Sequence, residues 1–327
     1  MKIIVDAFGG DNEELVIKGI GEAIREVPEA LIVAVGKKDV IESVLAPMDF
    51  DRERLEIVNA DEVITHSDSP VMSLRRKKNS SLVVAYDNLR ERDDTAALLS
   101  AGNTGSIIAG AHLLLGKREG VECPALASVI PTVKGTHSLL VDCGANVDCR
   151  APYLVDFAKH GTEYMSRVYG IERPKVALLS VGTEDTKGNQ LTKEAFGLLR
   201  AEEGINFVGN MEAKTLLSGE VDVIVTDGFP GNVALKSIEG VSSATVTLLA
   251  SFIKKCAPEG TDLSFVKQAI GMFMKAYDFN TQGGGILLGV KKPIIKMHGS
   301  ATSETVVNSV KQALRMCNGG YAQILEF

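Results

Sequence analysis

The sequence predicts an α/β protein built on a large, mostly parallel sheet that has an antiparallel part. Three observations predict this. Short apolar runs of strand length alternate with longer segments of helical spacing, joined by short polar turns. Two apolar runs, 125–130 and 138–141, flank the polar turn Lys134-Gly135-Thr136, which is hairpin spacing. No Pro-, Gly- or Ser-rich linker and no internal repeat divides the 327 residues, so the chain reads as one intertwined domain over 1–327, with two lobes around a cleft.

In chain order, Lys2-Ile3-Ile4-Val5 is a strand closed by Asp6 and a turn over 7–12. The segment 13–26 is helical, with Leu15, Ile17, Ile20 and Ile24 near helical spacing. Residues 31–35 form a strand closed by Gly36, 39–45 a short helix and 55–58 a strand. Pro70 opens a helix predicted to run to about Arg92. The run 96–99 is too short for a helix and reads as a buried strand, whereas 107–115 reads as a helix. Pro152 opens a helix to about Tyr169. Residues 175–180 are a strand, 191–203 a helix, 205–208 and 221–225 strands. From Val233 to Tyr277 the pattern is helical, broken at Pro258-Glu259-Gly260, which predicts a protruding helical pair over 241–279. Gly283 to Gly285 is a flexible corner, 293–297 the last core strand, and a helix runs on to about Met316. Residues 321–325 are expected to add an edge strand.

Composition is that of an ordinary soluble protein: 45% hydrophobic, 24% charged and without Trp. A net charge of −7 argues against a nucleic-acid binder. The five cysteines form no CxxC pair and are odd in number, which fits free thiols in a reducing compartment. Only three apolar residues follow Lys2 before Asp6, so no signal peptide is expected. No apolar run reads as long enough to span a bilayer, and a cytoplasmic protein with at most peripheral membrane contact is expected.

Ligands of open α/β sheets bind outside the carboxyl ends of strands. Six strands here end in polar turns: Asp6/Gly9/Gly10/Asp11, Ser100/Gly102/Asn103/Thr104/Gly105, Asp142/Asn146/Asp148, Glu184/Lys187/Asn189, Asp227/Gly228/Asn232 and His298/Ser300. On strands sharing one sheet edge they would describe a polar crevice. The turn at 100–105 is the clearest, since it places N–H groups, hydroxyls and an amide at the amino end of a helix, where anions are favoured. There is no GxGxxG after a strand, no GxxxxGK[ST], no HExxH, no His/Cys set with zinc spacing and no GxSxG elbow. The remaining donors, with Lys187 and His298, suit an oxyanion or phosphate rather than a metal, and no cofactor or metal is expected. Cys143 and Cys149 read as packing residues, since nothing local lowers a thiol pKa.

The blocks VDAFGGDN, RRKKNSS, SAGNTGS, VDCGANVDC, VGTEDTKGN, VTDGFPGNVALK and LLGVKKPIIKMHGS, in order over the whole chain, resemble the PlsX-type phosphate acyltransferases. The resemblance implies transfer of an acyl group from acyl-[acyl carrier protein] to inorganic phosphate, giving acyl phosphate for phospholipid synthesis. It also implies a three-layer α/β/α fold similar to phosphotransacetylases and isocitrate dehydrogenases, and a homodimer. It further implies loose attachment to the membrane, where a glycerol-3-phosphate acyltransferase takes the product. Two positions depart from the family pattern: Asn12 stands where His is usual, and Cys143 where Val is usual.

Phosphate would then be the nucleophile. Ser100, Asn103, Thr104, Lys187, Asn189 and Asn232 are expected around phosphate or carbonyl oxygen, and His298 as the acid. Asp6, Asp11 and Asp227 would orient backbone and Lys187. The run Arg75-Arg76-Lys77-Lys78 is either a solvated helix face or a contact for an acidic carrier protein. The apolar residues of 248–253 and 265–274 suit core, dimer interface or lipid contact. Alternative readings are a phosphotransacetylase-like enzyme using acyl-CoA and a non-catalytic metabolite-binding protein.

Overall fold

The computed structural model describes residues 1–277 and 283–321. Its centre is one sheet of eleven strands: β1 (Lys2–Asp6), β2 (Leu31–Gly36), β3 (Leu55–Asn59), β4 (Thr95–Ser100), β5 (Ala125–Pro131), β6 (His137–Val141), β7 (Lys175–Ser180), β8 (Asn206–Glu212), β9 (Val223–Val225), β10 (Gly285–Leu288) and β11 (Ile294–Lys296). Their spatial order is β3-β2-β1-β4-β11-β10-β5-β6-β9-β7-β8.

The strands do not share one carboxyl edge. β3, β2, β1, β4 and β11 are mutually parallel. Three successive antiparallel pairings, β11–β10, β10–β5 and β5–β6, then reverse the direction. β6, β9, β7 and β8 therefore form a second parallel set that runs the opposite way. Register decides where the two sets meet. Val5 pairs with Leu99, Leu99 with Ile295, Ile295 with Ile286, Ile286 with Ala127, Ala127 with Val141, Val141 with Val225 and Val225 with Leu178. That single row crosses eight strands. β1, β4 and β11 end one residue past it, and β6 and β9 end on it. Two half-sheets thus lie on opposite sides of a common line, with their carboxyl ends turned toward each other along it.

Helices cover both faces. α1 (Glu13–Glu26), α2 (Lys38–Leu45), α6 (Ala151–Tyr169), α7 (Gln190–Ala201) and α10 (Ser303–Asn318) bury their apolar stripes in one continuous core with alternate strand residues such as Ile3 and Val5. α3 (Pro70–Arg76), α4 (Ser81–Glu91) and α5 (Thr104–Gly110) pack with Ile4 on the other face. A third cluster under α8 (Gly228–Cys256) holds Leu140, Cys143, Ile224 and Leu235. The expected protruding pair corresponds to α8 and α9 (Ser264–Tyr277), with residues 278 and 279 outside the described region.

Several elements differ from expectation. The helix predicted from Pro70 to Arg92 is two helices, because residues 77–80 pair with the chain at Glu62 instead. Glu62 N–H donates to the Asn79 carbonyl (3.1 Å) and Ser81 N–H to the Glu62 carbonyl (3.0 Å). The corner at 283–285 leads directly into β10, too short an apolar run to register as a strand, yet paired on both sides. Of the edge strand expected at 321–325, residues 322–325 lie outside the described region. Finally, α8 is long and apolar enough to cross a membrane by length and composition alone, contrary to the sequence expectation. Its first turns are committed elsewhere: Gly228, Gly231 and Leu235 are buried against the sheet. The later turns expose Val241, Leu248, Leu249 and Phe252.

Candidate active site

Where the two carboxyl edges meet, a cavity of about 800 Å³ opens. From the β1 half it is lined by Asp11, Thr104 and the segment Lys296–Ser300, with His66 from the chain between β3 and α3. From the β6 half it receives Cys143, Gly144, Asn232, Lys236 and Glu239. Leu126, Leu235, Phe273, Met274 and Met297 supply an apolar wall. A lining that combines polar donors with apolar side chains suits an anion joined to a hydrophobic group.

Each half is held by a buried carboxylate. Asp6, wholly buried at the end of β1, accepts from Ser100 Oγ (2.7 Å) and from Phe8 N–H (3.4 Å). Ser100 Oγ also accepts from Gly102 N–H (3.1 Å). The two loops lie so close that a Cβ on Gly9 would stand 2.6 Å from Asp6 Oδ2 and 2.7 Å from Gly102 N. Burial raises the Asp6 pKa, against hydrogen bonds from Ser81 and Ser100. On the other half, Asp142 gathers the turn that follows β6. Its Oδ1 accepts from the N–H groups of Leu126, Gly144 and Ala145, and its Oδ2 from Asn146 N–H and Nδ2, all at 2.7–3.1 Å. Burial raises its pKa too, opposed by those hydrogen bonds.

The first turn of α8 rests on this loop. Gly228 N–H donates to the Asn146 carbonyl (2.8 Å). A Cβ on Gly231 would stand 1.9 Å from the Asp142 carbonyl oxygen, so only glycine permits the approach that sets Asn232 against Gly144.

Asp11, Thr104, Asn232, His298 and Ser300 line the cavity, as the strand-end argument expected of turn residues. Other expected ligands stand behind it. Ser100 is fully buried and its hydroxyl is spent on Asp6, so it does not face a ligand. Asn103 caps α5, accepting from Ser106 N–H (3.0 Å), and donates to the His66 carbonyl (3.1 Å). Gly9, Gly10 and Gly102 serve close loop packing, and a Cβ on Gly105 would meet Pro70 of α3. Asn146 bridges Asp142 and the Pro124 carbonyl. Asp227 Oδ1 is buried without a hydrogen-bond partner, and burial, then Asp142 and Asp148, raise its pKa. Asn12, at the departure from the family pattern, caps α1 by accepting from Leu15 N–H (3.2 Å).

Glu184, Lys187 and Asn189 are exposed on the loop after β7 and do not line the cavity. β7 lies two strands beyond β6 and runs two residues past the common row, which carries its turn outward. Asn189 caps α7 through Thr192 N–H (2.9 Å). Asp6 and Asp11 are bonded to other groups than Lys187, against expectation.

His298 Nδ1 accepts from Ser300 N–H (3.3 Å) and lies 2.7 Å from Ser300 Oγ. In the neutral ring the proton therefore sits on Nε2. Burial first, then the charges of Lys236 and Lys296, lower its pKa, so the neutral ring prevails at neutral pH. It suits a hydrogen-bond donor to an oxyanion better than the acid expected from the sequence. Cys143 Sγ donates to the Leu140 carbonyl (3.2 Å), and burial pushes its pKa well above the ordinary thiol range. A thiol so placed packs rather than attacks.

Among the lining residues that sequence reasoning did not propose are three basic ones. Lys236 follows Asn232 by one helical turn, a spacing that marks the same face. Lys296 closes an apolar strand in the same position as Asp6 and Ser100, a signal equally legible. His66 sits in an aperiodic polar stretch that carries no signal; its Nε2 lies 3.2 Å from Asp11 Oδ1. Among the described residues, no group of three or more His, Cys, Asp and Glu is placed to hold a metal.

A profile of the family described as Fatty acid synthesis protein matches residues 1–324. The chain is 41% identical to a protein of Bacillus licheniformis named Phosphate acyltransferase, covering all of this chain and 97% of that one. It is 39% identical to the Phosphate acyltransferase of Bacillus subtilis, with the same coverage. Among solved structures, the EutD phosphotransacetylase from Staphylococcus aureus has a similar fold, with TM-score 0.63 and 16% identity over 96% of this chain and 94% of that one. A phosphotransacetylase from Streptococcus pyogenes is similar, with TM-score 0.59, 16% identity and the same coverage.

Proposed function

Because the chain belongs to the fatty acid synthesis protein family and is a phosphate acyltransferase, we propose that it moves an acyl group from acyl-[acyl carrier protein] to inorganic phosphate. The observation that carries the reading is the shared cavity, whose lining combines cationic and hydroxyl groups with the apolar side chains of Leu235, Phe273 and Met274.

Bound there, hydrogen phosphate attacks the thioester carbonyl carbon through one oxygen. The new C–O bond forms a tetrahedral oxyanion, the C–S bond breaks, and the thiolate takes up the proton that phosphate brought. The balance is HPO₄²⁻ plus acyl thioester to acyl phosphate dianion plus thiol, with no acyl-enzyme. Asn232 and neutral His298 Nε2–H donate to the developing oxyanion, Ser300 Oγ–H fixes that tautomer through His298 Nδ1, and Thr104 donates to a phosphate oxygen. The buried Cys143 thiol takes no part.

The carrier protein is proposed to dock on α3. Arg75 and Arg76 are exposed there, beside α5, whose first residue Thr104 lines the cavity. Lys77 is spent internally on the Val63 carbonyl (2.9 Å) and on Asp68 (2.6 Å), whose pKa it holds down at about 2. With phosphate saturating, acyl phosphate should form with a higher kcat/KM from acyl-[acyl carrier protein] than from acyl-CoA. Replacing both Arg75 and Arg76 by Glu should raise KM for the carrier-protein substrate about tenfold at low salt, converging with wild type at high salt. A preference for acyl-CoA would refute the donor assignment, and a salt-independent KM in the double variant would refute the docking surface.

The exposed apolar side chains of α8 and α9, including Leu248, Leu249, Phe252 and Phe265, support a proposed homodimer and a peripheral contact with the cytoplasmic membrane surface, where a glycerol-3-phosphate acyltransferase would take the product. Phe252→Glu and Leu249→Glu should each abolish co-flotation with anionic liposomes. Flotation equal to wild type in a variant that keeps the wild-type sedimentation behaviour would refute the lipid contact.

A further inference from the structure

We propose that Lys296 is the residue that grips the phosphate nucleophile, at the line where the two half-sheets meet. The inference rests on the reading of phosphate as substrate and deepens it to a named ligand.

The charges around the cavity single out this lysine. Lys236 Nζ is paired with Glu239 at 2.7 Å on α8, and Asp11 has His66 Nε2 at 3.2 Å. Lys296 Nζ donates to the adjacent Met297 carbonyl, and among the described residues no carboxylate forms an ion pair with it. It is thus a part-buried cation lining the cavity with no carboxylate in ion-pair contact. A part-buried charge is stabilised by a partner, and an anionic ligand would supply one.

Its position fits the task. Lys296 pairs with Gly285 on β10 and follows Ile295 of the common row by one residue. Gly283, Gly284 and Gly285 line the cavity beside it, and a Cβ on Gly284 would stand 2.5 Å from the Lys296 carbonyl oxygen. The glycines let β10 pack closely against β11 at this point, which holds the Lys296 backbone in place at the cavity wall. Thr104 and His298, from the same half-sheet as Lys296, line the cavity as neutral donors, and α8 and α9 contribute the apolar Leu235, Phe273 and Met274 to the same cavity. Phosphate on Lys296 would share that cavity with both.

The ionisation of the free protein agrees with this placement. Burial first, then the charge of Lys236, hold the Lys296 pKa down at about 8, with Asp11 opposing. His298 lies on the same strand end and Glu239 on α8. Above that pH the free amine is mostly neutral. A bound dianion favours the ammonium, so binding should draw a proton from solution, and the uptake should grow as pH rises from about 7.5 to about 9.

The test is calorimetric titration of the full-length protein with inorganic phosphate, in pairs of buffers of unlike ionisation enthalpy. Wild type should take up protons in the predicted pH order. Lys296→Met should bind phosphate about 100-fold more weakly without linked uptake. Lys296→Arg should keep binding within about tenfold and lose the uptake, because guanidinium does not titrate in this range. The KM for phosphate should follow these affinities while the KM for the acyl donor stays near wild type. Wild-type affinity in a Lys296→Met protein with a wild-type thermal melt would overturn the proposal. So would the absence of proton uptake in wild type, a measurement that needs no variant. If wild type forms acyl phosphate but phosphate binding ignores Lys296, only this assignment fails. If wild type forms no acyl phosphate from any acyl thioester, the reading beneath it fails whatever the calorimetry shows.

Discussion

Gly231→Ala is expected to reduce acyl phosphate formation by about 100-fold or more while leaving the protein folded. The added methyl has nowhere to go, since its carbon would stand 1.9 Å from the Asp142 carbonyl oxygen, far inside contact distance. That oxygen belongs to a turn held by its own hydrogen bonds, so α8 has to lift. Lifting it carries Asn232 and Lys236 out of the cavity together. Gly240→Ala is the matched control. It lies on the same helix, with nothing within 4 Å of the new methyl, and should keep activity and gain about 1 kcal/mol of helix stability. Steady-state rates and denaturant unfolding of the pair decide the matter. Equal activity in Gly231→Ala and Gly240→Ala would mean that the contact between helix and turn does not set the site.

The second large effect is expected at Asp142. Its carboxylate is the acceptor for the N–H groups of Leu126, Gly144, Ala145 and Asn146 and for the Asn146 amide. Asp142→Ala leaves these donors unanswered in a site closed to water, at a cost of about 3 kcal/mol or more. Asp142→Asn restores one oxygen but turns an NH₂ toward donors, so it should recover part of the stability and little of the activity. Chemical unfolding midpoints in the order wild type, Asn, Ala would bear this out. An Ala variant as stable as wild type would show that the turn is held by the backbone alone.

Much of the fold was legible because β1, β4 and β11 of the first half carry the same grammar. A buried run such as Ile3-Ile4-Val5 or Ala97-Leu98-Leu99 ends in a polar residue at the same register, Asp6 or Ser100. Periodicity reports such runs one at a time, and it is silent on the direction in which a strand is laid beside a neighbour far away in the chain. The β5–β6 hairpin was legible from its spacing, whereas the antiparallel pairings of β10 with β11 and β5 were invisible, and with them the outward course of the loop that carries Lys187. The site was legible to the level of turns and not of atoms. Asn103, Asn189 and Asn12 read as ligands or departures by residue type, yet each closes a helix end. Side chains that bind ligands and side chains that bind backbone are drawn from the same small set, Asn, Asp, Ser and Thr, and only coordinates separate them. Lys296 was overlooked although it closes an apolar strand at the register of Asp6 and Ser100, because the end of that strand was read only from His298 onward.

The meeting of two oppositely directed half-sheets has a consequence for how such a protein diversifies. Lys296 and Thr104 line the cavity from one half and Leu235, Phe273 and Met274 from helices of the other, so under the proposed reaction anion and acyl recognition would be encoded largely by different stretches of chain. Substitutions at Leu235 or Met274 can retune which chain is accepted without rewriting the anion grip at 296–300. A lineage built on this plan is free to explore new donors while its chemistry stays put.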